Sequence, residues 1–373
     1  MTQKTPLVTK PMTTDADRAF IRDAVDFSRQ HLGQTASNPS VGTVIVKNGE
    51  VIGRGVTAIG GRPHAEAQAL SEAGDAARGA TAYVTLEPCA HHGRTPPCAN
   101  ALADAGIARV VCALSDPDDR VAGRGFAILR EAGVTVETDV EADYARTVLW
   151  SYLIRSEHKR SGVTLKLAVS ADGLIGRNGE GVVAITGEET RRVVHEMRAE
   201  HDIIMVGIGT ALADDPLLDV RIDGMEHRSP HRVIVDRDAR LPLTSQLVKT
   251  AAGIQTSVAT CDPTGANAQA LRAAGIGVIA CAEHDGEVAL PELLEDLAST
   301  GAQSVFLEGG ARLAQSFLDD DLVDQLVLSQ SEVVIGGDGV SSPLTPQSVP
   351  DRFAPRGQHR YGGDIQYRYE RKR

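Results

Sequence analysis

The stretch GRPHAEAQALSEAG at residues 61–74 is followed by TLEPCAHHGRTPPCANAL at residues 85–102. Four reactive side chains stand close together in these alanine- and leucine-rich stretches: His64, Glu66, Cys89 and Cys98. The first stretch predicts a helix over about residues 64–73, and ATAYVTL at residues 80–86 predicts a strand that leads into the cysteine loop. This arrangement indicates either a metal site or a surface loop that happens to hold cysteines.

The segments around these stretches alternate between helix and strand patterns. Residues 15–35 have apolar residues at helical spacing, with Asp15 or Asp17 as the predicted N-cap. SVGTVIVKNGEVIGRGV at residues 40–56 places two apolar runs around Asn48-Gly49, which is a strong hairpin signal. Further helices are predicted over about residues 99–105, 125–132 and 141–160, and strands over 108–117 and 134–140. The alternation indicates an α/β layered domain that ends near residue 150.

The second half of the chain contains several short runs rich in β-branched residues, and helical segments separate these runs. Examples are HRVIVDRD at 231–238, TSVATC at 256–261 and SVFLEGG at 304–310. VGIGTAL at 206–212 lacks the third glycine of a Rossmann fingerprint. We therefore predict two domains, residues 1–150 and 151–373, with a linker at about residues 151–161.

The composition narrows the possible functions. Of 373 residues, 42% are hydrophobic and 24% are charged, which is typical of a globular protein. The net charge of −12 argues against a nucleic-acid partner. The sequence has neither the long apolar run of a membrane span nor a signal peptide. Five cysteines are an odd number for a disulfide framework, so we expect a cytoplasmic protein.

The residue types of the opening stretches favour a catalytic zinc site. One His and two Cys supply three protein ligands for Zn²⁺, here His64, Cys89 and Cys98, and leave a fourth position for water. Glu66 follows His64 by two residues, a spacing that suits a proton carrier beside the water better than a ligand. H-x-E, then P-C, then a second Cys is the order found in zinc nucleobase deaminases. His91 and His92 are adjacent to Cys89, so they are better loop or substrate contacts than ligands.

Longer motifs carry a resemblance over nearly the whole chain. In the first half they are NPSVGTVIV (38–46), HAEAQAL (64–70), EPCAHHGRTPPC (87–98) and DPDDRVAGRG (116–125). In the second half they are LKLAVSADG (165–173), TALADDPLLDVR (210–221) and LEGG (307–310). This set closely resembles the bifunctional pyrimidine deaminase/reductase family of riboflavin biosynthesis. The resemblance implies an N-terminal cytidine-deaminase-like α/β/α layered domain and a C-terminal dihydrofolate-reductase-like α/β domain.

The resemblance also implies two reactions on a small phosphorylated pyrimidine. The first domain would use one Zn²⁺ to remove an amino group from the ring of a ribosylaminopyrimidine 5′-phosphate. The second would use NADPH to reduce the ribosyl group to a ribityl chain.

Residue by residue, the resemblance assigns roles in both domains. In the deaminase, His64, Cys89 and Cys98 would bind zinc, Glu66 would be catalytic, and Asn38, His91 and Arg94 would hold substrate. In the reductase, the implied substrate residues are Lys166, Arg198, Leu218, Arg221 and Glu308. The implied cofactor residues are Ala168, Thr210, Asp214, Gly310, Ala311, Arg312, Leu313, Ala314, Gln315 and Ser316.

The chain departs from the family pattern in the second half. Where the family has Ser-x-Trp-Ile-Thr, this chain has VVAIT at residues 182–186, so Val182 and Ala184 replace the Ser and the Trp. Arg237 stands where the family has Ser or Thr. One alternative is therefore an active deaminase with a weakened or non-catalytic reductase-like domain.

Two further alternatives concern the zinc site itself. A non-catalytic protein stabilised by zinc would usually supply four protein ligands rather than three. A deaminase of free cytidine or of a tRNA base fits poorly with the long cysteine loop, the appended domain and the acidic net charge. We also expect a homo-oligomer, whose number of subunits the sequence leaves open.

Overall fold

The computed structural model describes residues 13–91, 96–177, 179, 181 and 183–372. The chain forms two compact units. Unit 1 comprises Met1–His31 and Pro39–Leu149, and unit 2 comprises Leu32–Asn38 and Trp150–Arg373. Residues 151–158, which are part of the predicted linker, belong to the helix Ala142–His158, close to the helix predicted over residues 141–160.

The described residues of unit 1 form a five-stranded sheet in the order β2-β1-β3-β4-β5. Its strands are β1 (Gly42–Lys47), β2 (Glu50–Val56), β3 (Thr81–Val84), β4 (Arg109–Cys112) and β5 (Thr135–Glu137). The helices that begin in unit 1 are α1 (Asp15–Ser28), α2 (Ala65–Ala73), α3 (Cys98–Asp104), α4 (Arg124–Glu131) and α5 (Ala142–His158). β1 is antiparallel to both of its neighbours, whereas β3, β4 and β5 are parallel. The parallel strands therefore direct their carboxyl ends, and the loops that follow them, to one edge of the sheet.

Local sequence signals explain some of the element boundaries in unit 1. Asn48 and Gly49 both have positive φ, 53° and 84°, in the predicted hairpin turn between β1 and β2. The predicted N-cap of the first helix was wrong, because Thr14 occupies that position and Asp17 completes its capping box. The same helix ends at Ser28 rather than near residue 35, and a short 3₁₀ turn follows it.

A buried ion-pair network joins α1 to the parallel strands. The Asp17 carboxylate accepts hydrogen bonds from Arg109 at 2.7 and 3.0 Å and from the Tyr83 hydroxyl at 2.8 Å. Arg109 also donates to Glu137 at 2.7 Å. Burial alone would raise the pKa of Asp17, but the hydrogen bonds from Arg109, Thr14 and Tyr83 hold that pKa well below its usual range.

The described residues of unit 2 contain a nine-stranded sheet in the order β11-β10-β9-β8-β14-β6-β15-β18-β17. The unit has strands β6 (Gly162–Val169), β7 (Leu174–Arg177), β8 (Ile203–Gly207), β9 (His231–Val235), β10 (Thr256–Thr260), β11 (Gly277–Ala280), β12 (Glu283–His284), β13 (Glu287–Val288), β14 (Ser304–Leu307), β15 (Gln325–Gln330), β16 (Gly339–Ser341), β17 (Phe353–Tyr361) and β18 (Asp364–Arg371). Its further helices are α6 (Glu188–Ala199), α7 (Ile208–Asp214), α8 (Gln246–Lys249), α9 (Ala266–Ala273), α10 (Leu290–Ser299) and α11 (Ala311–Asp319). β12 with β13, and β16 with β7, form separate pairs.

The sheet of unit 2 is parallel from β11 to β15 and antiparallel from there to β17. Its two faces are covered by separate apolar clusters. Ile203 and Met205 belong to one cluster, and their neighbours Ile204 and Val206 belong to the other. Burial on both faces is what a parallel sheet with crossover helices requires, and it explains why these strands read as continuous apolar runs.

The described helices include none that is both long enough and apolar enough to span a membrane.

We expect Asp17→Asn to lower the free energy of unfolding of unit 1 by about 3 kcal/mol at pH 7, because it breaks a buried ion pair. The folded-state pKa of Asp17 is depressed, so its contribution is present above the unfolded-state pKa and is lost as the pH falls through the folded-state value. The difference from wild type should thus be constant above about pH 5 and shrink below about pH 4. Hydrogen exchange of β4 amides in urea would measure it, with the exposed Asp15→Asn as the control. An equal effect of both variants would contradict the prediction.

Candidate functional site

Three potential metal ligands converge in unit 1. His64 is the N-cap of α2, Cys89 follows β3 in the loop, and Cys98 is the first residue of α3. His64 Nδ1 lies 3.7 Å from Cys89 Sγ and 3.4 Å from Cys98 Sγ. All three ligand atoms lie within 4.8 Å of one another.

This geometry fits a tetrahedral zinc ion. Zinc bonds of about 2.0–2.3 Å to nitrogen and sulfur place neighbouring ligand atoms about 3.5–3.8 Å apart, and the observed nitrogen–sulfur distances are 3.4 and 3.7 Å. Two thiolates and one neutral imidazole also suit the borderline-soft character of Zn²⁺. The donor set leaves a coordination position for water, as a hydrolytic site requires.

Hydrogen bonding at the two sulfurs favours the thiolate form of Cys89. The Cys98 side chain, the His64 ring and the Cys98 backbone N–H, at 3.2 Å from the sulfur, lower the pKa of Cys89 to about 4 against the opposing effect of burial. The hydrogen bond to Cys89 and burial raise the pKa of Cys98. The pair therefore holds a negative charge, and a bound divalent cation would favour the second thiolate.

Glu66 lies in the first turn of α2 and is only 4% exposed. Burial, and secondly the charge of Cys89, raise its pKa to about 7. A carboxyl group with a pKa near the working pH can both accept and return a proton. This is the property that a hydrolytic deamination demands of its acid–base group.

The structure describes two of the three substrate residues that were predicted in the first half of the chain. His91 is partly buried, and its Nδ1 has no hydrogen-bond partner among the described residues. Asn38 lies in the segment Leu32–Asn38, which groups with unit 2, and its carbonyl oxygen accepts from Thr35 Oγ1 and Gln303 Nε2. Arg94, like His92, lies outside the described residues.

In unit 2 three of the predicted substrate residues form a charged cluster. Arg198 donates two hydrogen bonds to the Glu308 carboxylate, at 2.6 and 3.1 Å, and Lys166 Nζ lies 4.0 Å from the same carboxylate. Their side chains are only 12–13% exposed. Burial acts to raise the pKa of Glu308, but Arg198 and Lys166 lower it overall, so the carboxylate stays ionised. Two cations and one anion give the cluster a net positive charge that suits an anionic substrate.

The remaining predicted substrate residues lie on one loop after α7. Leu218 has φ 51°, which is unusual for a side chain of its size, and the neighbouring Asp219 carbonyl accepts from Arg198 Nη1 at 2.9 Å. His195 was not identified from the sequence, yet its ring lies 3.1 Å from the same carbonyl and 3.4 Å from the Arg221 guanidinium. His195 precedes Arg198 by three residues on α6, and this helical spacing was the signal that could have revealed it.

The structure brings together only part of the predicted cofactor set. Thr210 Oγ1 accepts a hydrogen bond from the backbone N–H of Gly310, the N-cap of α11, at 3.0 Å. Ala168 lies on the same face of β6 as Lys166, and burial raises the pKa of Asp214 at the end of α7. The N-cap of α11 therefore contacts the first turn of α7, and the backbone N–H groups of the first turn of α11 can bind a phosphate.

The rest of the predicted segment on α11 is engaged elsewhere. Ala314 is fully buried in the core, Arg312 pairs with Glu287, and Gln315 donates to Asp319. Ser316 donates to the carbonyl of Arg312 within the helix. Leu313 packs against the apolar core, and Ala311 is the first helical residue.

Two of the three departures from the family pattern fall on described residues. Ala184 is exposed, and Arg237 pairs with Asp238 at 2.9 Å and donates to the Gly286 carbonyl at 2.7 Å. Val182 lies outside the described residues.

Comparison with family models matches both halves of the chain. Residues 14–114 match the cytidine and deoxycytidylate deaminase zinc-binding region, and residues 161–367 match the RibD C-terminal domain. The first match contains the three potential ligands and Glu66, and the second contains the charged cluster.

Individual relatives match over most of their length. The riboflavin biosynthesis protein RibD of Actinobacillus pleuropneumoniae is 37% identical over 92% of this chain and 91% of its own. Among solved structures, RibD of Acinetobacter baumannii (form 1) is 34% identical with a TM-score of 0.84, covering 96% of this chain and 99% of that one. A diaminohydroxyphosphoribosylaminopyrimidine deaminase/5-amino-6-(5-phosphoribosylamino)uracil reductase from Thermotoga maritima has the same score and coverages at 30% identity. The predicted fold class of both domains is confirmed by these matches.

We expect Cys89→Ser to lose most of the bound zinc, because an alcohol replaces the soft thiolate ligand. Elemental analysis should find about one zinc per wild-type chain, as a site with three protein ligands holds a single ion. Cys112→Ser is the matched control, since Cys112 is a buried free cysteine of β4 outside the ligand group. Equal zinc contents in the two variants would remove Cys89 from the metal site.

Proposed function

The chain belongs to the RibD family of riboflavin biosynthesis proteins and is a bifunctional deaminase and reductase that uses Zn²⁺ and NADPH, and from this premise we propose which residues carry each reaction. His64, Cys89 and Cys98 bind the zinc, and Glu66 is the acid–base group of the deaminase. Lys166, Arg198 and Glu308 hold the substrate of the reductase. The observation that carries the proposal is the convergence of one imidazole and two sulfurs beside a buried carboxyl group.

Unit 1 supports a hydrolytic deamination of a pyrimidine ring. Zinc held by His64, Cys89 and Cys98 would lower the pKa of a water molecule to near neutral. Glu66 accepts the proton that this water molecule loses, because its buried carboxyl group has a pKa of about 7. The oxygen of the water bonds to the ring carbon as the bond from this carbon to the amino group breaks. Glu66 returns the proton to the amino group, which leaves as ammonia.

The substrate proposed for unit 1 is 2,5-diamino-6-ribosylamino-4(3H)-pyrimidinone 5′-phosphate. The Thermotoga maritima relative, whose structure superimposes over 96% of this chain, is named for the deamination of this class of compound. His91 offers a buried ring nitrogen that has no hydrogen-bond partner among the described residues, and such a group is available for a polar atom of the pyrimidine.

Unit 2 supports reduction of the deaminated product. NADPH supplies the hydride when it is bound. The Gly310 N–H is held by Thr210 at the start of α11, where the helix N-terminus favours a phosphate group. Lys166 is buried beside Glu308, and burial lowers its pKa, so its ammonium group can hold or donate a proton close to the reacting sugar.

The division of labour follows the two compact units. We propose that unit 1 carries the deaminase and unit 2 the reductase, with α5 as the continuous connection. The alternative of a weakened reductase still rests on Ala184, because an alanine offers no aromatic surface where the family has a tryptophan.

We further propose a cytoplasmic homo-oligomer. All five cysteines are free thiols, which suits a reducing compartment. β17 is the outermost strand on its side of the nine-stranded sheet formed by the described residues, and an unpaired edge of this length is a template for a second copy. Native mass spectrometry of the full chain would give the number of subunits.

We expect Glu66→Gln to retain zinc and to lower the deamination rate by about 10²–10⁴-fold, because an amide cannot transfer the proton. The same variant should still oxidise NADPH when it receives the deaminated intermediate. Product mass spectrometry and absorbance at the NADPH band measure the two reactions separately. Deamination within a few-fold of wild type would exclude Glu66, and loss of both activities in a folded, zinc-loaded variant would contradict the division between the units.

We expect wild type to oxidise NADPH, and Ala184→Trp to bind NADPH about three- to ten-fold more tightly, because an aromatic ring adds stacking of about 0.5–1.5 kcal/mol. Ala270→Trp places the same ring on an exposed position of α9 and serves as the control. A wild type that oxidises no NADPH at any intermediate concentration would favour the non-catalytic alternative. Equal NADPH dissociation constants in the two variants would show that Ala184 lies outside the cofactor site.

A further inference from the structure

The carboxylate of Glu87 lies two residues before Cys89 and is 3% exposed. It accepts hydrogen bonds from four backbone N–H groups of a single segment that lies far away in the sequence. The donors and distances are Asp116 (3.3 Å), Gly123 (3.0 Å), Gly125 (3.0 Å) and Phe126 (3.2 Å). A buried carboxylate needs hydrogen-bond donors to replace the water molecules that it loses on burial. These four hydrogen bonds therefore fix the position of the donor segment relative to Glu87.

Three of these four donors belong to the start of α4. The N-cap of α4 is Gly123, which has φ 80° and no side chain to accept a hydrogen bond. A helix of this kind leaves its first N–H groups without intrahelical acceptors. Glu87 accepts from the N-cap and from the second and third helical residues, so it acts as an N-cap supplied from another part of the chain, with a charge that suits the helix dipole.

A steric contact fixes the same segment against the cysteine loop. A Cβ atom at Gly125 would lie 2.0 Å from the Pro88 carbonyl oxygen, which is far inside contact distance. Glycine at this position therefore lets the start of α4 lie directly on the Pro88–Cys89 backbone. The hydrogen bonds of Glu87 and the close approach of Gly125 couple residues 116–126 to the loop that supplies a zinc ligand.

Residues 116–126 also contain a charged pair of side chains. Asp118 pairs with Arg120, and its backbone N–H is held by Asp116 Oδ1 at 2.9 Å. Arg120 is the main cause that lowers the pKa of Asp118 to about 2, and His91 adds a smaller electrostatic contribution. The close approach of Gly125 to Pro88 places the segment that carries this charged pair against the cysteine loop.

We propose that Glu87 is a positioning residue of the deaminase: its carboxylate holds residues 116–126 against the Pro88–Cys89 loop so that the segment forms one wall of the pyrimidine site. The proposal rests on the deaminase function proposed above. Glu87 itself touches neither the reacting atoms nor the metal in this role. It sets substrate affinity through the segment that it anchors, and zinc binding is independent of it.

Replacement by glutamine tests this role with little change of volume. The amide has one acceptor oxygen, and its NH₂ group would face two of the backbone N–H donors. We expect Glu87→Gln to keep its zinc and to raise the KM for the ribosylaminopyrimidine phosphate about ten-fold or more, with kcat within about three-fold, because a displaced wall weakens binding rather than proton transfer. The amides of Gly123, Gly125 and Phe126 should exchange faster with solvent in the same variant.

Two further variants make the test specific. Gly125→Ala should raise KM in the same way, and the double variant should be no worse than the poorer single variant, because both changes release the same segment. Glu137→Gln is the matched control, since Glu137 is equally buried in unit 1 but bonds Arg109 instead of residues 116–126. Glu137→Gln should lower the free energy of unfolding, while the KM for the ribosylaminopyrimidine phosphate remains at the wild-type value.

The outcomes separate this proposal from the proposed function. If wild type does not deaminate the substrate, the proposed function fails, and the exchange experiment alone then reports whether Glu87 anchors the segment. If wild type is active and Glu87→Gln speeds amide exchange without changing KM, Glu87 is only a cap of α4 and the proposal is overturned. It is equally overturned if Glu137→Gln raises KM as much, or if Glu87→Gln loses zinc in parallel with activity.

Discussion

The close approach of two cysteine sulfurs and an imidazole nitrogen, all within 4.8 Å, is the constraint on which the rest of unit 1 depends. Thiolates at this separation repel one another in a partly buried setting unless a cation or hydrogen-bond donors offset their charge. The backbone supplies donors at this point: α2 and α3 both begin at ligands, and the Cys98 N–H reaches Cys89 Sγ. The sheet contributes one ligand directly, because the loop that follows β3 carries Cys89.

The fold and the candidate site differ in how far the sequence could predict them. His64, Glu66 and Cys89 were identifiable because their chemistry is carried by short motifs with fixed spacing. The roles of Lys166, Arg198 and Glu308 came from the family resemblance, since nothing in their local sequence indicates that Arg198 on α6 meets Glu308 after β14.

Other features of the structure could not be predicted from the sequence, and each has a physical reason. The backbone N–H groups that donate to Glu87 come from a distant segment, so no local pattern marks this glutamate. The segment Leu32–Asn38 groups with unit 2 although it lies within the first domain of the sequence, because packing and not chain order decides membership. β17 is mostly exposed and both β17 and β18 carry many polar residues, so the hydrophobic periodicity that reveals central strands is weak there.

Three buried glutamates show how environment assigns a role to one residue type. Glu308 contacts the guanidinium of Arg198 and the ammonium of Lys166, so it stays ionised and leaves the cluster with a net positive charge for an anionic substrate. Glu87 receives backbone N–H groups, which satisfy its oxygens and turn its charge into an anchor for α4. For Glu66, burial and the negative charge of nearby Cys89 outweigh the effects that lower its pKa. The pKa of Glu66 therefore rises to about 7, and the group becomes able to exchange protons. The surroundings of each carboxyl group therefore decide what it can do. A carboxyl group paired with arginine cannot return a proton near pH 7. A carboxyl group with a raised pKa cannot hold a helix by its charge.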